Sequence, residues 1–267
     1  MTEEGKTALS HFLNLVSDFL SDGHARFREY SETVEKPLVQ ESPEEGSIDP
    51  EQNIPLAYLI EEEPGENLEE SAPDSSVDSL EAVAMEIAAC KACGLAATRK
   101  NVVPGEGSIH PLVMVIGEGP GADEDAQGRP FVGRAGQLLD RMLASIGLFR
   151  DKNCYIANMV KCRPPGNRDP AHEEMSECFH FLERQILLLR PKVILCAGRV
   201  AAQNLLKTNK GLNSLRGEFI EIPVGETFIP VLSTYHPSAI LRDESYKRPA
   251  WEDLKLLRSR LDSSDES

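Results

Sequence analysis

Four of the six cysteines lie outside the apolar runs, where thiols serve as ligands or stand as unconnected surface groups. Cys90-Lys-Ala-Cys93 is a C-x2-C pair, and Cys162 and Cys178 follow far downstream. Together they are the four thiolates needed to close a tetrathiolate site, for zinc or for an iron–sulfur cluster. Zinc ribbons usually bring two close pairs, so the distant second pair leans toward a cluster, while spacing alone leaves both open. Cys154 and Cys196 lie inside apolar runs, Cys154-Tyr-Ile-Ala and Val193-Ile-Leu-Cys-Ala197, where a thiol is most simply a small core residue. A thioredoxin-like reading of the pair fails, because it does not follow a strand in a βαβ unit.

Three polar clusters lie at the ends of predicted strands. Gly117-Glu-Gly119-Pro-Gly-Ala122 closes the run Leu112–Ile116 and fits G-x-G-x-x-A, the dinucleotide-binding turn. Three features oppose a dinucleotide. Pro120 and Gly121 interrupt the turn, Asp123-Glu-Asp125 puts negative charge where a pyrophosphate needs donors, and no acidic residue ends a second strand about twenty residues on. The second cluster is Asn158-Met-Val-Lys161-Cys-Arg163-Pro-Pro-Gly-Asn-Arg168. Its amide offers a donor and an acceptor to a base edge, or simply forms a turn; its cations track a phosphate backbone, or simply solvate a loop. The third is Tyr235-His236-Pro237-Ser238, a single histidine at a strand end.

The elements that position these clusters alternate. Asp78-Ser79-Leu80-Glu81 reads as a helix start, and the helix runs to about Ala89. A strand at Leu112–Ile116 leads through the Gly-rich turn and an acidic loop to a helix that arrives only at Arg134 and runs to about Ile146. Strands at Asn153–Met159 and Lys192–Ala197 alternate with helices at Ala171–Leu189 and Val200–Leu206. Two more strands, Glu218–Ile222 and Phe228–Ser233, precede a closing amphipathic helix at Tyr246–Leu261. This order predicts an α/β fold, three layers of α/β/α around a mostly parallel sheet, with the clusters converging at one sheet edge.

Charge divides the chain. Residues 1–89 carry 4 Lys+Arg against 22 Asp+Glu, and residues 90–267 carry 24 against 22, so a mildly basic domain follows a strongly acidic arm. A nucleic-acid partner suits the second part and is opposed by the first. The spacing of Leu9, Phe12, Leu13, Val16, Phe19 and Leu20 predicts an amphipathic helix within residues 1–35. Residues 36–78 are too polar to offset the entropy of ordering and read as an acidic disordered linker; the domain spans 79–261, with an acidic tail at 262–267. The helix and arm could dock a protein partner. With no run of 18 apolar residues and no basic-then-apolar leader, the expectation is a cytoplasmic protein without a membrane partner.

Taken together, Gly117-Glu-Gly-Pro-Gly121, Gly128-Arg-Pro-Phe-Val-Gly-Arg-Ala-Gly136, Asn158-Met-Val-Lys-Cys-Arg-Pro-Pro165, His236-Pro-Ser238 and the four cysteines resemble a family 4 uracil-DNA glycosylase, the iron–sulfur branch of its superfamily. The resemblance covers about residues 84–260 and leaves residues 1–80 outside. It implies a four-stranded parallel core, a [4Fe–4S] cluster on Cys90, Cys93, Cys162 and Cys178, and hydrolysis of the N-glycosidic bond of a flipped-out deoxyuridine in single- or double-stranded DNA; a monomer is expected. It further implies that Phe131 stacks on uracil, that Asn158 reads its N3–H and O4, and that His236 bonds its O2. The backbone of Gly117, Glu118 and Gly119 would hold the base and the water. Glu124 would stand near C5, and Pro237, Ser238 and Arg242, with Arg163 and Arg168, would hold phosphates. Family 1 enzymes carry a water-activating aspartate where this chain has Gly119, so that task falls to Glu118, Glu124 or Asp125. Family 5 relatives lack the polar residue that Glu118 supplies. DNA-crosslinking relatives carry a Lys-Arg-Arg-Ile-His insertion where this chain reads Lys210-Gly-Leu-Asn-Ser-Leu-Arg-Gly217. A second reading is an enzymatically silent DNA-binding module that recruits repair or replication partners through its acidic arm.

Overall fold

The computed structural model describes residues 78–264. The helix expected within residues 1–35 and the linker expected at 36–78 lie outside the described residues, Asp78 excepted. Helix α1 (Leu80–Ala89) begins as its sequence predicts: the Ser79 hydroxyl accepts from the Ala82 N–H at 3.1 Å, satisfying one otherwise unpaired donor of the first turn.

Six strands form one sheet: β1 (Glu106–Gly107), β2 (Val113–Gly117), β3 (Cys154–Asn158), β4 (Val193–Ala197), β5 (Phe219–Val224) and β6 (Thr227–Thr234), in the order β1-β3-β2-β4-β6-β5. The middle four are parallel, and β1 and β5 add antiparallel edges. Every residue of β2, β3 and β4 is buried, as near-continuous apolar runs require when helices cover both faces.

Alternation along a strand assigns those faces. Val113 and Val115 join Ile156 and Leu195 on one side, beneath α3 (Arg134–Ala144) and the last helix, with Leu139, Met142, Leu254 and Leu257. Met114 and Ile116 join Ala157 and Ile194 on the other, beneath α4 (His172–Leu189) and α5 (Arg199–Leu205), with Leu182, Ile186 and Ala201. The expected three-layer α/β/α architecture is therefore present. A third, smaller cluster packs α1 against α4 through Val83, Ile87 and Phe181, and contains Cys162 and Cys178.

Strand β1 and a helix at Pro237–Arg242 were not expected from the sequence, and two further elements differ from the expectation. The acidic stretch after the Gly-rich turn is a helix rather than a loop, α2 (Ala122–Gln127). Pro120 and Gly121 lie just outside it, where they do no harm, and Glu124 reaches back to accept the Gly121 N–H at 3.0 Å. Asp123, Glu124 and Asp125 then sit in the first turn, where the helix dipole favours negative charge. After α6 (Pro237–Arg242), the last helix, α7, runs Lys247–Ser264 and so continues beyond Leu261, aided by an Arg258–Asp262 pair one turn apart. Among the described residues no helix is long and apolar enough to cross a membrane.

Candidate active site

The C-terminal ends of the four parallel strands open into one cavity of about 600 Å³. In open α/β sheets this edge is where ligands bind, because strand ends and helix starts converge there. Glu118 follows β2, Asn158 ends β3, Arg199 follows β4, and His236 follows β6; Phe131 and Asp169 come in from connecting loops.

Gly117 and Asn158 form the last register pair of β2 and β3. A Cβ on Gly117 would lie 2.4 Å from Asn158 Oδ1 and 2.6 Å from Phe131 Cζ, so only glycine leaves room for ring and amide together. Phe131 holds a left-handed φ of 51°, an uncommon conformation for a bulky residue and one that surrounding contacts must impose. Three of them do. Arg150 donates to the carbonyls of Pro130 (2.9 Å) and Phe131 (2.8 Å) while paired to Asp140. Glu124 accepts from the N–H groups of Val132 (2.9 Å) and Gly133 (3.0 Å). Gly136 allows α3 to start against the Phe131 carbonyl, where a Cβ would fall 1.8 Å from its oxygen.

Asn158 is 2 % exposed, and its Oδ1 is buried without a hydrogen-bond partner. An orphaned buried acceptor costs about 1–3 kcal/mol, a cost that a ligand donor would remove. The Asn158 carbonyl accepts from the buried Lys161 Nζ at 3.0 Å, which also donates to Gln185 Oε1 at 2.8 Å.

His236 caps α6: its Nδ1 accepts the Ser238 N–H at 3.1 Å and lies 2.8 Å from Ser238 Oγ. An Nδ1 that accepts leaves the proton of the neutral ring on Nε2, which is then a donor. Burial, reinforced by the positive charge of Arg242, pushes the imidazole down to about 4, so the ring is neutral near pH 7. Its centroid lies 5.5 Å from that of Phe131. Gly198, at φ 100°, passes so close that a Cβ would be 2.9 Å from His236 Cβ.

Glu118 is half-buried on the same wall. Burial first, then the negative charge of Asp169, push its carboxyl up to about 7, against the opposing charges of Arg199 and Arg242. The three carboxylates considered for water activation thus occupy different settings. Glu118 faces the cavity, and Glu124 lines it with its oxygens committed to backbone donors. Asp125 is turned away: 2 % exposed, it accepts the N–H of Lys100 at 2.8 Å and of Asn101 at 3.3 Å, and it does not line the cavity. Its position as the last residue of the first helical turn points it at the 100–101 loop, which the expectation of an acidic loop could not reveal.

Arg168, Ser238 and Arg242 line the cavity. Arg168 is also paired to Glu174 at 2.6 Å. Arg163 stands off it, donating to Asn167 Oδ1 at 2.8 Å, and Pro237 is buried at the first position of α6, where its fixed φ starts the helix. Sequence reasoning passed over Asp169, Arg199 and Arg150. A signal existed for Arg199, since Gly198-Arg199 follows a predicted strand as Gly117-Glu118 does; Arg150 had none.

The four cysteines singled out above line one recess together with Arg99, Lys161 and Phe181. Arg99 Nη1 donates to Cys162 Sγ at 3.1 Å, and the Lys161 N–H to Cys178 Sγ at 3.3 Å. Among the described residues no group of His, Cys, Asp or Glu side chains is arranged to hold a single metal ion. Cys154 and Cys196 are fully buried in β3 and β4, as core thiols should be.

The profile of the uracil DNA glycosylase superfamily matches residues 104–255. The chain is 42 % identical over 183 residues to the type-4 uracil-DNA glycosylase of Archaeoglobus fulgidus, covering 67 % of this chain and 92 % of that protein. The type-4 enzyme of Thermotoga maritima is likewise 42 % identical over 183 residues, 67 % of this chain and 93 % of that protein. A type-5 uracil-DNA glycosylase of Pyrobaculum aerophilum is more distant, 32 % identical over 152 residues, 52 % of this chain and 66 % of that protein.

Proposed function

The chain belongs to the uracil DNA glycosylase superfamily, and from that premise we propose how its cavity releases the base. As a type-4 enzyme it excises uracil from DNA by hydrolysis, as a step of DNA repair. The base must first leave the stack and enter the cavity. There Phe131 stacks on the ring, and the orphaned Oδ1 of Asn158 accepts the uracil N3–H while its amide N–H reaches O4. Cytosine carries the opposite pattern at both positions, so it would leave the amide unpaired.

In the bond-breaking step the C1′–N1 electron pair goes to the uracil ring, and negative charge gathers on O2. The Nε2–H of His236 donates to that oxygen, and because the ring is neutral it does so without surrendering its proton. Fixed donors of this kind contribute about 2.7–4 kcal/mol each in other enzymes. The water oxygen bonds C1′ and its proton passes to Glu118. Of the candidate carboxylates, Glu118 alone faces the cavity without backbone donors holding its oxygens. Glu124 is better placed to hold the turn that presents Phe131. Arg242, Ser238 and Arg168, at the mouth, are suited to flanking phosphates.

Cys90, Cys93, Cys162 and Cys178 would hold a [4Fe–4S] cluster. The donor set is four cysteines, and two of its sulfurs already receive N–H donors, the surroundings a thiolate-bound cluster needs. Such a cluster would cross-link the end of α1 to the Lys161–Cys178 segment and carry no part of the bond cleavage.

The buried acceptor of Asn158, beside a ring that glycine alone makes room for, is the observation that carries this reading. Its test is excision from single- and double-stranded uracil oligonucleotides, followed by alkali, with Asn158→Ala and His236→Ala as controls. DNA binding without strand scission would favour the silent module instead.

A further inference from the structure

We infer that Asp169 and Arg199 are positioning residues for Glu118, forming with it a carboxyl–carboxylate–guanidinium relay along one wall of the cavity. The inference rests on the reading of Glu118 as the group that takes the proton from water.

The geometry is a chain of three side chains from three separate segments. Glu118 follows β2, Asp169 lies in the loop before α4, and Arg199 opens α5; all line the cavity. Arg199 Nη2 lies 2.5 Å from Asp169 Oδ2, and its Nη1 donates to Gln203 Oε1, one turn along α5, at 3.0 Å. The Asp169 carbonyl in turn accepts from Arg168 Nη1 at 2.9 Å. Asp169 is therefore tethered at backbone and side chain, within side-chain hydrogen-bonding reach of Glu118.

The arrangement does what a general base needs. When Glu118 takes a proton from the attacking water, the O–H it gains donates to Asp169, whose second oxygen stays on Arg199. The negative charge of Asp169 makes Glu118 a stronger base, and Arg199 holds the Asp169 side chain in place. The other charged groups around the cavity have separate engagements. Arg242 approaches Glu118 from α6 and opposes Asp169, His236 is neutral, Glu124 of α2 is bonded to backbone, and Arg168 is paired to Glu174. Asp123 of α2 and Arg134 of α3 also line the cavity. Both members of the Asp169–Arg199 pair are more than half exposed, so solvent screens them until DNA covers the mouth.

The experiment is the pH profile of single-turnover excision, at saturating enzyme so that DNA affinity does not enter, with melting temperature followed in parallel. Wild type is expected to show an acid limb with its midpoint near 7, the value toward which Glu118 is pushed. Asp169→Asn should move that midpoint down by about 0.5–1 unit and Arg199→Gln should move it up, opposite shifts that loss of structure would not produce. The limb should vanish in Glu118→Gln. If Glu118→Gln abolishes the limb but neither other substitution moves it, or both move it the same way, the relay is overturned while the role of Glu118 stands. If Glu118→Gln retains the wild-type rate and limb, the water step of the proposed function fails as well.

Discussion

Gly117→Ala adds one methyl at the point where three parts of the proposed base site meet. Its Cβ would lie 2.4 Å from Asn158 Oδ1 and 2.6 and 2.7 Å from two Phe131 ring carbons, against an ordinary contact of 3.4–4 Å, so ring and amide must together give up about 1 Å. Neither yields easily. Phe131 is pinned by Arg150 and by its approach to Gly136, and Asn158 is fixed in register at the end of β3 and held through its carbonyl by Lys161. A misplacement of about 1 Å in a reacting geometry costs up to ~10²-fold in rate, which is about 2.7 kcal/mol of barrier. The same strain should lower stability by about 1–3 kcal/mol, as overpacking of a filled site does. We therefore expect single-turnover excision of uracil opposite guanine to fall ~10²-fold, while far-UV circular dichroism stays that of wild type. A Gly117→Ala enzyme that excises within roughly threefold of wild type, under about 0.7 kcal/mol, would refute the claim that glycine is required there.

Other substitutions probe the remaining walls. His236→Ala should lower excision by ~10²–10³-fold in gel assays, with Kd for uracil-containing DNA nearly unchanged, because its donor is proposed to act on charge that develops as the bond breaks. Glu118→Gln should raise the melting temperature at pH 8. The folded Glu118 is pushed up to about 7 from 4.5, so its ionisation destabilises the fold as pH rises across that range, and the gain should disappear toward pH 4.5. Arg150→Met removes charged donors from the carbonyls of Pro130 and Phe131, hydrogen bonds worth about 1.5–3 kcal/mol each. It should lower the melting temperature by roughly 5–10 °C in calorimetry and weaken excision at 37 °C more than at 20 °C.

The parallel core was legible because its strands are short apolar runs punctuated by Gly, Pro and Asn, and strand ends in such folds share an edge. That rule alone brings Glu118, Asn158 and His236 to one cavity. Strand β1 was not legible: two residues carry no period, and the pairing depends on Gly107, where a Cβ would meet the Cys154 carbonyl oxygen at 2.2 Å. Helix α2 hid behind Gly-Pro-Gly, which reads as a breaker unless Glu124 is recognised as reaching back over its first turn. The same oversight made Asp125 a candidate for the reaction, when the turn it occupies directs it at Lys100 and Asn101. Arg150 and Asp169 were missed because their roles depend on partners 19 and 30 residues away, which no local pattern encodes.

The pairing of Gly117 with Asn158 at the last rung of β2 and β3 has a consequence for how such an enzyme can diverge. The groups proposed to identify the base are set by strand register, which tolerates no insertion, since one added residue turns every side chain to the other face. The loops around the cavity mouth are under no such constraint, and loops accept changes of length readily. Descendants of this scaffold can therefore acquire new DNA geometries or partners by lengthening loops while base identity is inherited intact. A change in the base itself requires point substitution at the strand ends.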